Sequence, residues 1–264
     1  IVPIYDLTVK DHDLIAATHG RSFWILDDLT PLHQINERIL KASVHLFKPR
    51  PTYRFLNDPR SSFSGFPGKN YEAETGTPVT RYRKQTGDGD TQLVYLDAGK
   101  NPPDGVIMTY YLDREPEEEV RFTIADSHGD KIKVFSSNSD DECKLKPKSG
   151  FNRFVWDMRY PGPDELSDEE GALRSEVTGG PMASPGNYIC EISIDGQTSS
   201  EAFEILKDPR VSATQEDLEA QFALLIKVRD TVSDIHNAVN RIRDIRRQID
   251  EWEQRADGYQ GQKT

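Results

Sequence analysis

The first 35 residues contain three short runs of mostly apolar residues that are separated by turn residues. Residues 7–9 alternate with the period of two that is typical of strands, and residues 14–18 and 23–26 are short apolar runs that also indicate strands. Asp11-His12-Asp13 and His19-Gly20-Arg21-Ser22 supply turns between them. We therefore predict a three-stranded meander over residues 1–35. It is too small to bury both of its faces, so it must add to a neighbouring sheet.

A longer series of strands is predicted further along the chain. Residues 36–92 are interpreted as a linker and a loop-rich excursion, because Gly, Ser, Pro, Thr and Asp dominate residues 57–92. Strands follow at 93–96, 106–112, 120–125, 131–135, 152–158, 186–194 and 199–205. Asp195-Gly196, between two alternating apolar runs, is the strongest hairpin signal. This spacing predicts an antiparallel β-sandwich over 93–206, with Phe154, Trp156, Tyr188 and Ile192 in its core or at its corners.

Residues 207–264 change to a helical period. Eleven apolar residues recur about every 3.4 positions, close to the 3.5-residue repeat of a coiled-coil seam. They are Leu218, Phe222, Leu225, Val228, Val232, Ile235, Val239, Ile242, Ile245, Ile249 and Trp252. We predict one amphipathic helix of about 60 Å, capped by Ser212-x-x-Gln215 or Thr214-x-x-Asp217.

This helix is longer than one face of a small sandwich, so part of its seam needs a second helix. We expect an antiparallel homodimer, because that orientation brings a basic cluster near acidic residues of the partner helix. The cluster is Arg241, Arg243, Arg246 and Arg247, and the acidic residues are Glu216, Asp217 and Glu219. Two alternatives are a following helix that folds back as a hairpin, and a basic cluster that is simply solvated near the helix C-terminus.

The charge balance narrows the choice of partners. Lys and Arg number 33 against 45 Asp and Glu, so the formal net charge is −12. A phosphate backbone would be repelled, which argues against a nucleic-acid partner. No run approaches the ~18 apolar residues of a membrane span, and we expect no targeting signal within these residues. Because it opens on Ile1-Val2-Pro3, we expect an excised or processed piece of a larger protein.

Few residues are candidates for chemistry. His19 and Arg21, with His12, are a candidate site for a carboxylate or a sugar; the alternative is that they make turn and interstrand hydrogen bonds. Asp27 and Asp28 are adjacent, so on a strand they point to opposite faces and do not converge on one bond. We expect them to cap or close the local structure.

No metal or cofactor is predicted. Asp88-Gly89-Asp90 begins like a calcium loop, but Gln92 replaces the third acidic residue and Gly99 the final Glu. The chain has no G-x-G-x-x-G, P-loop or G-x-S-x-G motif. Cys143 and Cys190 leave both a disulfide and a small buried thiol open. We predict no catalytic residues.

Three segments carry a resemblance to known proteins. Residues 5–28, with Thr18-His19-Gly20-Arg21 and Trp24-Ile25-Leu26-Asp27, resemble the last blade of bacterial sortilin-like (Vps10-like) β-propeller proteins. These are also called BNR-repeat proteins and are often labelled glycosyl hydrolases. Gly150-Phe151-Asn152 and Trp156-Asp157, followed by Pro185-Gly186-Asn187-Tyr188, are similar to the immunoglobulin-like module of the flagellar-hook-cap type. Residues 239–246 resemble the helical tail that follows this module in the same proteins.

The resemblance implies a mainly β fold with four parts. They are a propeller-blade-like meander at 1–35, a linker and loop-rich excursion at 36–92, an immunoglobulin-like sandwich at 93–206, and a long C-terminal helix and tail at 207–264. It also implies an upstream propeller as partner and an extracytoplasmic or secreted location. The chain has no complete Asp-box (S-x-D-x-G-x-x-W). The nearest residues are Thr18, Gly20 and Trp24, and the Asp of the motif is missing. The glycosidase activity of a complete propeller therefore does not carry over to this chain.

Three functional hypotheses follow. The first is a non-catalytic accessory or interaction module of a sortilin-like propeller protein, with helix-mediated packing or self-association. The second is the C-terminal portion of a glycosidase-like propeller hydrolase whose active site lies outside this chain. The third is a carbohydrate-binding sandwich, which needs exposed aromatic residues on one strand face; Tyr95, Tyr110 and Tyr111 are the candidates. We favour the first and predict no hydrolase activity in this chain.

Overall fold

The computed structural model describes residues 2–55, 68–72, 79–85, 91–95, 102–139, 144–166 and 179–260. In this part of the chain there are fourteen strands and two α-helices. The first eight strands are β1 (Ile4–Lys10), β2 (Asp13–Thr18), β3 (Phe23–Leu26), β4 (Val44–Leu46), β5 (Thr52–Arg54), β6 (Gly68–Glu72), β7 (Val79–Gln85) and β8 (Thr91–Tyr95). The others are β9 (Val106–Leu112), β10 (Arg121–Asp126), β11 (Lys131–Ser136), β12 (Gly150–Trp156), β13 (Gly186–Ile194) and β14 (Gln197–Lys207), and the helices are α1 (Thr30–Gln34) and α2 (Gln215–Gln260). The fold is mainly β with one long C-terminal helix.

The predicted N-terminal meander is confirmed. β1, β2 and β3 form an antiparallel sheet in that order. Asp11 and His12 connect the first two strands with φ angles of 50° and 73°. Positive φ at both central residues is the geometry of a two-residue type I′ hairpin, and Asp and His are among the residues that tolerate it best.

Two further sheets enclose a common apolar core, and we call them together the two-sheet body. One has five strands in the order β11-β10-β13-β14-β5, and the other has three in the order β12-β9-β4. Side chains of both sheets meet between them. The ring centroids of Tyr110 and Phe122 are 5.3 Å apart, and those of Trp156 and Phe203 are 6.0 Å apart. These contacts join the two sheets through their inward-facing residues.

One edge strand of each sheet of the body comes from the segment interpreted as a linker. β4 pairs with β9, and β5 runs parallel to the end of β14. The strand predicted at 93–96 as the first of the sandwich lies elsewhere, because β8 pairs with β7 in a separate sheet of β6, β7 and β8. Sheet membership depends on partners that are distant in sequence, and local alternation does not report it.

The predicted core residues of the body are confirmed. Phe154, Trp156, Tyr188 and Ile192 are all buried. Trp156 Nε1–H donates to the carbonyl oxygen of Arg159 at 3.1 Å, which satisfies its one polar group. The hydroxyl of Tyr188 donates to the carbonyl oxygen of Ser184 at 2.7 Å, at the corner where β13 begins.

The predicted Asp195-Gly196 hairpin joins β13 to β14. Its φ angles of 48° and 74° are those of a type I′ turn. Within β13, Cys190 is a free buried thiol whose Sγ donates to the carbonyl oxygen of Glu201 at 3.4 Å. Burial raises the pKa of this thiol to about 12. It is therefore protonated at neutral pH and packs as a small apolar residue. Cys143 lies outside the described residues.

Helix α2 confirms the prediction of one long helix in residues 207–264. Its 46 residues extend about 69 Å. Of the two capping sequences, the one at Thr214 and Asp217 is formed. The Asp217 carboxylate accepts the N–H of Thr214 at 2.9 Å, and the Thr214 hydroxyl accepts the N–H of Asp217 at 3.2 Å. Glu216 and Asp217 also place negative charge in the first turn, where the helix dipole favours it.

The start of α2 is attached to the body. The ring of Phe222 packs on Tyr160 with centroids 4.8 Å apart. The side-chain amide of Gln215 donates to the carbonyl oxygen of Pro185 at 2.8 Å. One side of the first two turns therefore faces the body.

Residues 160–166 continue this attachment along the helix. The N–H of Asp164 donates to Ser233 Oγ at 3.0 Å, and the Asn237 amide donates to the Asp164 carboxylate at 2.7 Å. The Asn240 amide donates to the carbonyl oxygen of Glu165 at 2.9 Å. We call residues 160–166 the strap, because they tie the middle of α2 to the body.

Candidate functional site

The sequence candidates His19 and Arg21 lie in the exposed turn between β2 and β3. The ring of His19 meets the edge of Tyr5 with centroids 5.2 Å apart, and the Arg21 carbonyl oxygen accepts Trp24 Nε1–H at 3.2 Å. His12 does not join them. It lies in the turn between β1 and β2, at the opposite end of the meander, where its ring is 5.8 Å from that of His33. The hypothesis of one site that combines His12, His19 and Arg21 is therefore wrong.

A cleft of about 340 Å³ lies between the meander and the body. Its polar lining comes from Asp13, Asp27, Asp28, Arg50 and Asp104. Its apolar and aromatic lining includes Pro51, Tyr53, Phe55, Pro102, Ile107 and Met158. The cleft brings together residues that are separated by up to about 145 positions in sequence, which no local pattern reports.

Two carboxylates of the cleft are engaged in structural hydrogen bonds. Asp13 accepts Arg50 Nη1–H at 2.9 Å and the N–H of Asp28 at 2.9 Å. Asp28 is buried, and its carboxylate accepts the N–H of Thr30 at 3.1 Å. Together with the bond from the Leu29 N–H to the His12 carbonyl oxygen at 2.7 Å, these contacts tie the meander to the body. Asp28 has the local closing role that its sequence position predicts.

The exposed aromatic residues beside the cleft are Tyr53 and Phe55, and the predicted candidates Tyr95, Tyr110 and Tyr111 are not among them. Tyr53 and Phe55 are 44% and 41% exposed, and their rings stack with centroids 5.9 Å apart. Arg210 lies over Phe55, 5.0 Å from the ring centroid. Tyr53 and Phe55 are two positions apart, so their common strand face is a signal that the sequence contained.

Tyr110 is excluded as an exposed platform residue. Its side chain is 2% exposed in the core of the body, and burial raises its pKa to about 12. Tyr111 points to the other face of β9, where it is half-buried and meets the edge of Phe151 at 5.5 Å. The side chain of Tyr95 lies outside the described residues. Tyr110 and Tyr111 differ in exposure because adjacent residues of a pleated strand point to opposite faces of the sheet.

One face of the meander is apolar and the other is mixed. Cross-strand pairing places Leu7, Val9, Leu14, Ala16, Trp24 and Leu26 on the apolar face. It places Ile15, Ala17, Phe23 and Ile25 on the other face, together with the polar residues Asp6, Thr8, Lys10 and Asp13. Leu7 and Val9 are exposed on the first face, and β3 exposes apolar side chains on both faces.

A second apolar surface runs along α2, and we call it the free stripe. Its exposed members are Leu224, Leu225, Val228, Ile235, Ile242, Ile245, Ile249 and Trp252, with Val232 and Val239 half-buried between them. At about 100° per residue, the stripe lies about 140° around the helix from the side that contacts the strap. Leu218 and Phe222, which the sequence analysis put on the same seam, are half-buried.

Within the described residues, no group of three or more His, Cys, Asp or Glu side chains is arranged to hold a metal ion. In the same part of the chain, no helix combines the length and the hydropathy that a membrane crossing requires. A scan against protein-family models and searches of curated proteins and of solved structures found no match. The resemblance to sortilin-like propeller proteins therefore depends on the residues quoted for it above.

Proposed function

We propose that this chain is a non-catalytic interaction module of a β-propeller protein that resembles the sortilin-like family. The observation that carries the proposal is that two extended apolar surfaces are uncovered, the meander and the free stripe of α2. Soluble monomers seldom expose contiguous apolar patches larger than a few hundred Å². Both surfaces are therefore suited to binding other protein layers.

The body acts in this proposal as a rigid immunoglobulin-like sandwich that holds the two surfaces apart. Three features support the immunoglobulin-like assignment: two sheets around one core, a fully buried Trp156, and the Tyr188 hydroxyl bonded to the Ser184 carbonyl oxygen. Immunoglobulin-like domains have a comparable buried Trp and a Tyr that bonds to the backbone a few residues upstream.

The meander is proposed to dock against the upstream propeller that the resemblance implies. A propeller blade is covered by neighbouring blades on both faces. The meander exposes apolar side chains on both, with Leu7 and Val9 on one face and Phe23 and Ile25 on the other. β1 and β3 are the edges of their sheet, so they also offer backbone groups for further pairing. An extracytoplasmic location is part of the same proposal.

The cleft supports the non-catalytic assignment. A hydrolase needs two titratable groups within hydrogen-bond reach of one bond. Here the Asp13 and Asp28 carboxylates are already bonded to Arg50 Nη1–H and to backbone N–H groups. Turnover of a glycoside, ester or peptide that disappears in Asp28→Asn or His19→Ala would contradict this part of the proposal.

Sedimentation velocity of the 264-residue chain at micromolar concentration tests the interaction role. We expect reversible self-association, abolished by the double change Val232→Asp and Val239→Asp with the unfolding transition of the body unchanged. Val134→Asp is the matched control, because Val134 is an exposed Val on β11, away from both surfaces. A monomer with Val239, Ile242 and Ile249 protected from hydrogen exchange would contradict self-association.

A second candidate function, carbohydrate binding, is favoured by the Tyr53–Phe55 pair beside the cleft. Exposed aromatic rings that border carboxylates and an Arg provide stacking and hydrogen-bonding partners for a sugar. Calorimetric titration with soluble oligosaccharides tests it. Binding is expected to be lost in Tyr53→Ala and retained in Tyr5→Ala, an exposed aromatic residue on the meander. No binding by the unmodified chain would exclude this function.

A further inference from the structure

We infer that α2 pairs with α2 of a second copy in antiparallel orientation, with the two-fold axis beside residues 237 and 238. The inference rests on the proposed self-association and adds its partner, orientation and register. Its basis is the distribution of exposed and charged side chains along the free stripe.

The free stripe follows a heptad repeat. Val228, Ile235, Ile242 and Ile249 are spaced by seven and correspond to the d positions of a coiled coil. The a positions are then Leu225, Val232, Val239 and Arg246. A strict seven-residue repeat drifts by about 20° per heptad around a straight helix, and a partner helix follows that drift by left-handed supercoiling. A helix therefore fits this stripe better than the flat face of a sheet does.

Arg246 determines the orientation. It is the charged residue among the a and d positions between residues 225 and 249, and it is exposed. In a parallel, in-register pair, each a residue faces its own copy, so two Arg246 guanidinium groups would meet in the seam. Antiparallel pairing places Arg246 beside Val228 of the other copy instead, and the two Arg246 residues lie about 27 Å apart along the axis.

One antiparallel register matches the whole stripe to itself. In it, the a residues Leu225, Val232 and Val239 face the d residues Ile249, Ile242 and Ile235 of the second copy, and the symmetry repeats each layer. Six apolar layers result. The exposed apolar residues run from Leu224 to Trp252, and the midpoint of this range coincides with the two-fold axis. The stripe can therefore pair with itself over its whole length.

The flanking positions agree with this register. On one side, Leu224 faces Trp252 of the second copy, and Ala238 faces Ala238 at the axis, where a small residue permits close approach. On the other side, Arg229 is bonded to Asp230 of its own helix at 2.6 Å. In this register it also faces Asp250 of the second copy, so each of the two symmetric positions brings Arg229 near a second carboxylate. The remaining pair on that side, His236 with Arg243, adds no attraction.

Neighbouring registers are less favourable. A shift of one heptad in one direction opposes Arg229 to Arg243 and Trp252 to Asp217. A shift in the other direction puts Arg246 against Ile235 and brings the two Arg243 residues together at the axis. The first shift replaces the attraction between Arg229 and Asp250 by a like-charged contact. The second shift creates a like-charged contact at the axis and puts a charged residue opposite Ile235.

The register differs from the one expected from the sequence. Contact between the basic cluster and Glu216, Asp217 and Glu219 needs an axis near residue 230. Ile249 and Trp252 would then lie opposite residues before Gln215, where α2 begins. They would lose their partner helix, while Leu218, already half-buried, would enter the seam. The exposure of the C-terminal half of α2 decides against that register.

Site-directed cross-linking tests orientation and register in the full chain. Single Cys residues are placed in a Cys143→Ser background, in which the remaining thiol, Cys190, is buried. A short bis-maleimide is expected to link Ala238→Cys to its own copy. It is also expected to link Leu225→Cys to Ile249→Cys in a mixture of the two proteins, and to link neither of these to itself. Gln248→Cys, on the outer side of the helix, is the control for random collision and is expected to stay unlinked.

A charge exchange gives a second readout. Asp250→Arg removes two attractive pairs and creates two repulsive ones, so it is expected to weaken the dimer by roughly threefold to tenfold, the scale of exposed ion pairs. Adding Arg229→Asp to the same chain is expected to restore the affinity, because the pair is rebuilt with reversed signs. Failure of the double variant to recover contradicts the register.

The outcomes separate this inference from the proposed function. A monomer in sedimentation contradicts the proposed self-association and this inference with it, whereas the docking proposed for the meander is a separate claim. A dimer in which Ile249→Cys links to itself is parallel, which overturns the inference and leaves self-association intact. A dimer in which neither Ala238→Cys nor the Leu225→Cys and Ile249→Cys mixture is linked uses another register or surface, and this also overturns the inference.

Discussion

The meander and the two-sheet body are both antiparallel β-structure, but they treat their apolar residues differently. In β10 and β13 buried side chains alternate with more exposed ones, and the buried set meets the opposite sheet. In β1 and β3 every side chain is exposed, although these strands carry Leu7, Val9, Trp24 and Ile25. In the body, each sheet is covered by the other sheet of the same chain. None of the described residues forms a second layer over the meander.

The difference teaches that strand formation and burial are separate events in this chain. Type I′ turn residues and cross-strand bonds are enough to arrange β1, β2 and β3. The apolar side chains of β1 and β3 then remain exposed, while Asp13, Arg50 and Asp28 hold the meander to the body. The body should therefore carry most of the stability, and the meander is one of the two surfaces that we propose for binding.

Replacing one Trp in each region gives the largest expected contrast. Trp156 is fully buried in the body, whereas Trp24 on the meander is 41% exposed. Trp156→Ala is expected to lower the free energy of unfolding by about 3–5 kcal/mol, because it leaves a cavity. Trp24→Ala is expected to cost less than about 1 kcal/mol. Denaturant titration measures both, and equal losses would mean that the meander is packed as tightly as the body.

Two glycines with positive φ extend the comparison to the backbone. A Cβ on Gly105 would lie 2.2 Å from the carbonyl oxygen of Trp156, whereas a Cβ on Gly20 in the meander meets nothing within 4 Å. Gly105→Ala is expected to cost about 3 kcal/mol, from steric overlap and backbone strain together. Gly20→Ala keeps only the strain and is expected to cost about 1 kcal/mol. Thermal unfolding of the two variants gives the ranking, and a reversed order would contradict the packing around Gly105.

The helix cap is expected to have a smaller effect. Thr214→Ala removes the hydroxyl that accepts the Asp217 N–H, and it should destabilise the start of α2 by about 1 kcal/mol. Hydrogen exchange of the first turn measures this loss. Exchange in the meander should not change, and a change there would show that the two regions are coupled through the helix.

The same cap depends on pH. Bonds from the N–H and hydroxyl of Thr214 lower the pKa of Asp217 below its usual value. A depressed carboxyl pKa stabilises the folded state above the unfolded-state pKa, and this stabilisation is lost as the pH falls through the lowered pKa. Protection of the first turn should therefore be complete at neutral pH and decrease in acid. Asp217→Asn should make it independent of pH in this range.

The rate of thiol labelling compares how exposed one position is in each of the two regions. In a Cys143→Ser variant, buried Cys190 with a pKa of about 12 should react with a disulfide reagent at pH 8 only as fast as the body opens. Leu7→Cys in the same background should be labelled at once, because position 7 is exposed on the meander. Rapid labelling of Cys190 would contradict the described core.

Several elements of the fold were predictable from the sequence, but the assembly of the cleft was not. Local signals identified the Asp195-Gly196 hairpin, the three strands of the meander, the helix and the burial of Trp156. Tyr110 was misplaced because alternation shows that neighbours point to opposite faces, without showing which face is covered. The contact of Asp13 with Arg50 spans 37 positions and has no local signature.

The sequence by itself determined the periods and the turns: period two in the strands, 3.5 in α2, and type I′ turns where residues tolerate positive φ. These are short-range properties, decided by backbone sterics and by side chains a few positions apart. Only the tertiary structure decided which apolar faces are covered. It placed β4 and β5 in the body, and it directed one side of α2 to the strap and left the other exposed. Burial is a relation between surfaces that are distant in sequence, so it depends on how the whole chain packs.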